Sequence, residues 1–213
     1  MNNSKQSDKD LDRQLPEDLK RCVSFHGHLC PGLIYGYLAA KESMRLLDLD
    51  RSRDEEVVAI SENDTCAVDA LQCLLGTTMG KGNLILMDYG KNVFTVLRRS
   101  DKRAFRFSRK HEYKYEGAHP QEFEELEAAF AAGDATTKQR MRQKLLKSLD
   151  LLAKPFDAVF DTALVDIPEP PYAPLAPSAA CAECGEMTMS TRMVDTNDGR
   201  LLCIPCSSAI LNT

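Results

Sequence analysis

The chain has 213 residues, enough for one or two domains. Hydrophobic residues make up 43% and charged residues 28%, which places the chain among globular proteins and outside the disordered range. A formal net charge of −5 argues against broad electrostatic binding to nucleic acid, and no apolar run reaches the about 18 residues of a membrane-spanning helix. The opening residues, MNNSKQSDKDLDRQ, lack the apolar segment of a secretory signal, so a cytoplasmic location is expected. The eight cysteines are then expected to be reduced thiols.

In chain order, residues 1–9 are polar and read as a frayed end. From Asp10 to about His26 the spacing of Leu11, Leu15, Leu19, Cys22 and Val23 is helical, with Pro16 marking a first turn. The segment FHGHLCPG (25–32) follows, and a second helix is expected from Pro31 to about Leu47, burying Leu33, Tyr37, Ala40, Met44 and Leu47. Residues 57–64 read as a strand, and Asp64-Thr65-Cys66 opens a short helix ending near Gly76. Residues 84–88 and 93–98 read as two strands joined in a hairpin through Gly90 and Lys91, and Phe105 and Phe107 suggest one more strand. Two helices follow at about 120–132 and 135–153, divided by Gly133, with Asp134 able to cap the second. Residues 154–167 give no clear pattern. The next stretch, IPEPPYAPLAPSA, holds five of the ten prolines and reads as an extended linker. The expected division is an α+β core over 1–166, a linker over 167–180 and a cysteine-rich module over 181–213.

That module reads CAEC, eighteen residues, then CIPC. Two CxxC turns at this spacing each present two thiolates on one side of a knuckle, and together they complete a tetrahedron for zinc. Cys181, Cys184, Cys203 and Cys206 are therefore the expected ligands. Thr188 to Val194 and Leu201-Leu202 suggest a hairpin with Asn197, Asp198 and Gly199 at its tip, and a helix is expected to begin at Pro205. This order resembles a treble clef. A closed four-thiolate site leaves no position for substrate, so a structural zinc is expected.

The core carries a second cluster. His26, His28 and Cys30 fall in five residues, and alternate positions of an extended segment face one way. Cys30 precedes Pro31 at a helix start, where the dipole and free N–H groups favour a thiolate. Cys66 has a similar placement, and Asp69 follows it by one turn. His26, His28, Cys30, Cys66 and Asp69 form a plausible set for a second transition metal of unspecified identity. Cys30 could also serve as a nucleophile, with His26 or His28 as acid–base partner. Cys22 and Cys73 fall on helical stripes and read as packing, and His111 and His119 read as solvated. The segment GTTMGKGNL departs from a Walker loop, which needs Ser or Thr after its Gly-Lys. Lys81 and Lys91 could still bind an anion.

The strings FHGHLCPGLIYGYLAAK, ENDTCAVDALQCLLGTTMGKGNLILMDYGK and CAECGE…LCIPC resemble the formylmethanofuran dehydrogenase E-subunit family, from about residue 15 to the C-terminus. The resemblance implies an α+β core followed by a treble-clef zinc finger, and homodimers with clefts where core domains meet. It also implies site positions at His26, His28, Cys30, Cys66 and Asp69. The namesake complex reduces carbon dioxide onto methanofuran at a molybdenum or tungsten pterin centre carried by its other polypeptides, and family members also resemble stand-alone proteins of organisms that make no methane. The expected function is therefore an accessory or metal-handling protein associated with a molybdenum or tungsten one-carbon enzyme. A metal- or thiol-dependent enzyme using Cys30, and a scaffold docking a partner through its finger, are the alternatives.

Overall fold

A computed structural model describes residues 15–197 and 199–211. The chain forms two compact units, one ending at Pro171 and the other beginning at Tyr172.

The first unit is an α+β domain. Its elements are α1 (Glu17–His26), α2 (Pro31–Leu47), β1 (Val57–Ser61), α3 (Ala67–Leu75), β2 (Leu84–Leu86), β3 (Val93–Arg98), β4 (Arg103–Arg109), α4 (Pro120–Ala131), α5 (Thr137–Ala153), the single turn α6 (Phe156–Val159) and β5 (Phe160–Val165). The strands form one mixed sheet in the order β2-β1-β3-β4-β5. β1 is buried along almost its whole length, as suits a strand covered on both faces. Val57, Ala59, Phe94, Val96, Phe107 and Phe160 join the α1–α3 side chains in the main core. Val58, Leu97 and Ala104 form a smaller cluster with Ile60, Ile85, Val165 and Ile167.

Helix α1 begins directly after Pro16. The expected helical residues 10–14, like the expected frayed end at 1–9, lie outside the described residues. Its C-terminus is closed by Gly27 at φ 95°, whose N–H donates to the Val23 carbonyl at 2.8 Å. Helix α2 crosses α3 so closely that a Cβ on Gly36 would lie 2.1 Å from the Ala67 carbonyl oxygen. Gly32, one turn earlier, would place a Cβ 3.0 Å from that of Cys66. Only the missing side chains at these two positions let the helices meet.

The expected hairpin between residues 84–88 and 93–98 does not form. β2 pairs parallel with β1, with Ala59 opposite Leu84, while β3 pairs antiparallel on the other side of β1. The crossover between β1 and β2 is α3, the helical connection that parallel pairing requires. The intervening turn wraps the end of β1: the N–H groups of Tyr89 and Lys91 both donate to the Glu62 carbonyl. Asp134 is also not the cap of α5. Thr136 takes that position and forms a reciprocal capping box with Gln139. The unassigned stretch 154–167 supplies α6 and the edge strand β5, and Phe156 stacks on Phe160 at 5.4 Å.

The second unit holds two hairpins and a helix: β6 (Ser178–Ala180) with β7 (Met187–Met189), β8 (Met193–Asp195) with β9 (Leu201–Cys203), and α7 (Ile204–Leu211). The expected linker thus ends in a strand. The expected single hairpin is replaced by two, because a short 3₁₀ turn at Ser190–Arg192 separates β7 from β8. Asp198, expected at a hairpin tip, lies outside the described residues.

Gly36→Ala is expected to destabilise the first unit by about 1–3 kcal/mol through overpacking. Thermal unfolding should show a melting temperature several degrees lower. An unchanged melting temperature would show that α2 and α3 have room to part.

Candidate metal centres

The first centre is built by two turns that the sequence dictates. Gly27 ends α1 in the left-handed region and lifts the chain away after His26. Cys30 then caps α2 in an extended conformation, with Pro31 in the first turn, and its Sγ accepts from the Leu33 N–H at 3.5 Å. Between these turns the His26 and His28 rings approach to 4.6 Å between centroids. One ligand atom from each of His26, His28 and Cys30 lies within 4.8 Å of the others.

The separation of His26 Nε2 from Cys30 Sγ is 3.6 Å. Two ligands of one tetrahedral zinc, at its usual Zn–N and Zn–S lengths, stand about 3.5 Å apart. On its other side, His26 Nδ1 meets Asp69 Oδ2 at 2.7 Å, and Asp69 Oδ1 accepts from Gln72 Nε2 at 3.2 Å. A carboxylate on Nδ1 keeps the proton there and turns the Nε2 lone pair toward the thiol, the arrangement that prepares a histidine for a metal. Asp69 thus stands behind His26, while Cys66 adjoins Cys30 and Gly32. Three ligands plus an outer carboxylate suit zinc or a comparable ion.

A cleft of about 470 Å³ opens beside this cluster, lined by His26, Cys66 and Asp69 at one end and by Val68, Met79 and Leu84 along its wall. The cluster is therefore neither sealed nor fully exposed: His28 is exposed, His26 half-buried and Cys30 buried.

The expectation of a Cys30 thiolate in the free protein is corrected. Burial pushes this thiol up, and the neighbouring Cys66 adds to the rise, against the opposing N–H groups of Leu33 and Gly32. The helix start is present, but desolvation of the charge outweighs it. His28, though exposed, is pushed down by partial desolvation and by the nearby charges of His26 and Lys144, which favours the neutral, ligating imidazole.

Of Lys81 and Lys91, expected as anion-binding residues, the first has its ammonium engaged within the fold. The Lys81 ammonium donates to the carbonyls of Ser52 and Asp54, at 3.3 and 3.0 Å, and so ties the glycine-rich turn to the loop before β1. Lys91 engages through its backbone, accepting from Asn63 Nδ2 and donating to the Glu62 carbonyl. Cys22 is fully buried and adjoins Cys73, as packing residues do. Gln72 and Lys144 were not singled out from the sequence. For Gln72 the signal was available, since it lies one helical turn beyond Asp69; for Lys144 none was.

The second centre lies in the second unit. Cys181, Cys184, Cys203 and Cys206 place their four Sγ atoms within 4.8 Å of one another, with Cys184 and Cys203 at 3.9 Å. A tetrahedral Zn–S site has S···S edges of about 3.8 Å. The Cys181 thiol is pulled down to about 6 by the N–H groups of Cys184, Cys203 and Glu183. Cys206 is pushed up to about 12 by the crowded sulfurs of Cys203 and Cys184. Four thiolates cannot share this space without a cation among them, so the donor set fits a metal such as zinc.

The two centres occur in a chain with known relatives. The family model described as FmdE, molybdenum formylmethanofuran dehydrogenase operon, matches residues 25–161, well over half of the chain. The chain belongs to the FmdE family. A tungsten formylmethanofuran dehydrogenase FmdE-like protein from Syntrophus aciditrophicus has the same fold, with a TM-score of 0.54 over 90% of each chain at 20% identity. A probable S-adenosyl-L-methionine-binding protein from Archaeoglobus fulgidus is 36% identical over 92 residues, which are 41% of this chain and 25% of that protein. The chain thus spans about a quarter of the length of that relative.

The buried, raised Cys30 thiol should react with iodoacetamide at neutral pH at least about tenfold more slowly than a free peptide thiol. Peptide mapping of folded, chelator-treated protein by mass spectrometry would measure this. Alkylation at the free-thiol rate would contradict a buried Cys30.

Proposed function

We propose that this chain is a two-metal protein of the FmdE family that handles or presents a transition metal as an accessory to a molybdenum or tungsten one-carbon enzyme. Cys181, Cys184, Cys203 and Cys206 hold a structural zinc in a treble-clef finger. His26, His28 and Cys30 hold the second metal, with Asp69 orienting His26 and Cys66 completing the shell where a fourth ligand is needed. The observation that carries the reading is the Asp69–His26–Cys30 chain, with its 2.7 and 3.6 Å separations. The carboxylate on Nδ1 leaves Nε2 facing the Cys30 sulfur, the arrangement usual for a metal-bound histidine. A homodimer is part of the proposal, since exposed Met79 and Leu86 border the cleft, and Met87 and Tyr89 follow them. A cytoplasmic setting agrees with eight free thiols, and no helix among the described residues is long and apolar enough to cross a membrane.

A catalytic reading has one observation in its favour. The cluster offers three ligands and faces a cleft, so a bound metal would keep a position for substrate and could supply Lewis-acid chemistry there. S-adenosylmethionine is not carried over, because the match covers only a quarter of the relative that bears its name.

Elemental mass spectrometry of natively purified protein should find two metals per chain, and one in Cys30→Ala. Asp69→Asn should keep the second metal but bind it about 10–100-fold more weakly. One metal in both wild type and Cys30→Ala would overturn the core centre. Turnover of a one-carbon substrate by the pure two-metal protein would replace the accessory reading with the catalytic one.

A further inference from the structure

A separate cleft of about 370 Å³ lies between α2, the end of β4, the segment that follows it, and α5–α6. Its lining includes Tyr35, Arg109, Tyr113, Leu151 and Val159. Arg109 places its guanidinium carbon 5.0 Å from the centre of the Tyr35 ring and donates from Nε to the His111 carbonyl at 2.9 Å. Its two terminal nitrogens make no ion pair among the described residues. The Tyr35 hydroxyl likewise makes no hydrogen bond among the described residues, although the side chain is only 7% exposed. A second cation, Lys147, sits 4.4 Å from the centre of the Tyr113 ring and has no carboxylate partner among the described residues.

The acids nearby are largely committed. Asp150 accepts from the Tyr113 hydroxyl at 2.6 Å and from the Glu116 N–H at 3.1 Å, and Glu116 pairs with Lys154. Glu112, also in the lining, is exposed. Burial and the Arg109 charge disfavour protonated Lys147, against the opposing charge of Glu127. An incoming oxyanion gives the unused guanidinium edge and the Tyr35 hydroxyl their partners.

We propose that this cleft binds a small molecule with a terminal oxyanion, carboxylate or phosphoryl, gripped by Arg109 and Tyr35 with its apolar body against Tyr113, Leu151 and Val159. The cleft stands whether or not the His–Cys cluster holds a metal. Lys144, one turn from Lys147 on α5, is the cation whose charge reaches His28, so the basic face of α5 runs from the cleft toward that cluster.

The test is isothermal titration of the full chain with benzoate and with phenyl phosphate. At least one should bind with a dissociation constant below about 1 mM, the preferred probe naming the head group. Arg109→Met should weaken that binding at least about tenfold, the loss of one strong charge-assisted contact. Tyr35→Phe, which keeps the ring and the fold, should weaken it several-fold, and Arg53→Met, an exposed arginine outside the lining, should leave it unchanged. No binding of either probe, or equal binding by wild type and Tyr35→Phe, would overturn the proposal, as would equal binding by a folded Arg109→Met.

Discussion

The close crossing of α2 and α3 sets the rest of the first unit. A helix pair normally keeps its axes apart by the thickness of its side chains. Here Gly36 faces the Ala67 carbonyl and Gly32 faces Cys66, with no side chain between them. That approach brings the N-termini of both helices together, and with them Cys30 and Cys66. Asp69, in the first turn of α3, then comes within 2.7 Å of the last residue of α1. A wider crossing would leave the same residues in the sequence with no common point in space.

Much of this was legible in the chain. The HGHLCPG string crowds three metal-competent side chains just before a helix-starting proline, and Pro31 begins the helix as expected. The doubled CxxC needs only its spacing to be recognised. The errors have physical causes. The β2–β3 hairpin failed because a glycine-bearing turn between apolar runs does not say which strand lies between them, and β1 took that place. The cap of α5 moved from Asp134 to Thr136 because a capping box satisfies two N–H groups where a lone carboxylate satisfies one.

The thiols show the same limit. Position at a helix start argued for a Cys30 thiolate, but burial is a property of the folded environment and it prevailed. The sequence leaves Lys81 able to bind an anion, and folding commits its ammonium to two backbone carbonyls. Conversely, nothing in a charged stretch of sequence sets Arg109 and Lys147 apart, yet the fold seats one over the Tyr35 ring and the other over the Tyr113 ring. Charge can be counted from sequence, whereas desolvation and pairing belong to the tertiary structure.

The sheet's last strand carries a consequence of its own. β5 pairs with β4 with Arg109 opposite Phe160, so α4, α5 and α6 all lie in the chain between two adjacent strands. The β3–β4 connection is a tight turn, but joining β4 to β5 closes a loop of about fifty residues, at about 2 kcal/mol more in chain entropy. That cost favours β5 docking late, after the α4–α5 hairpin has shortened the effective loop through the Phe123, Leu126 and Leu146 cluster. The cleft at the end of β4, which needs β4, α5 and α6 together, takes shape only once that long loop has closed.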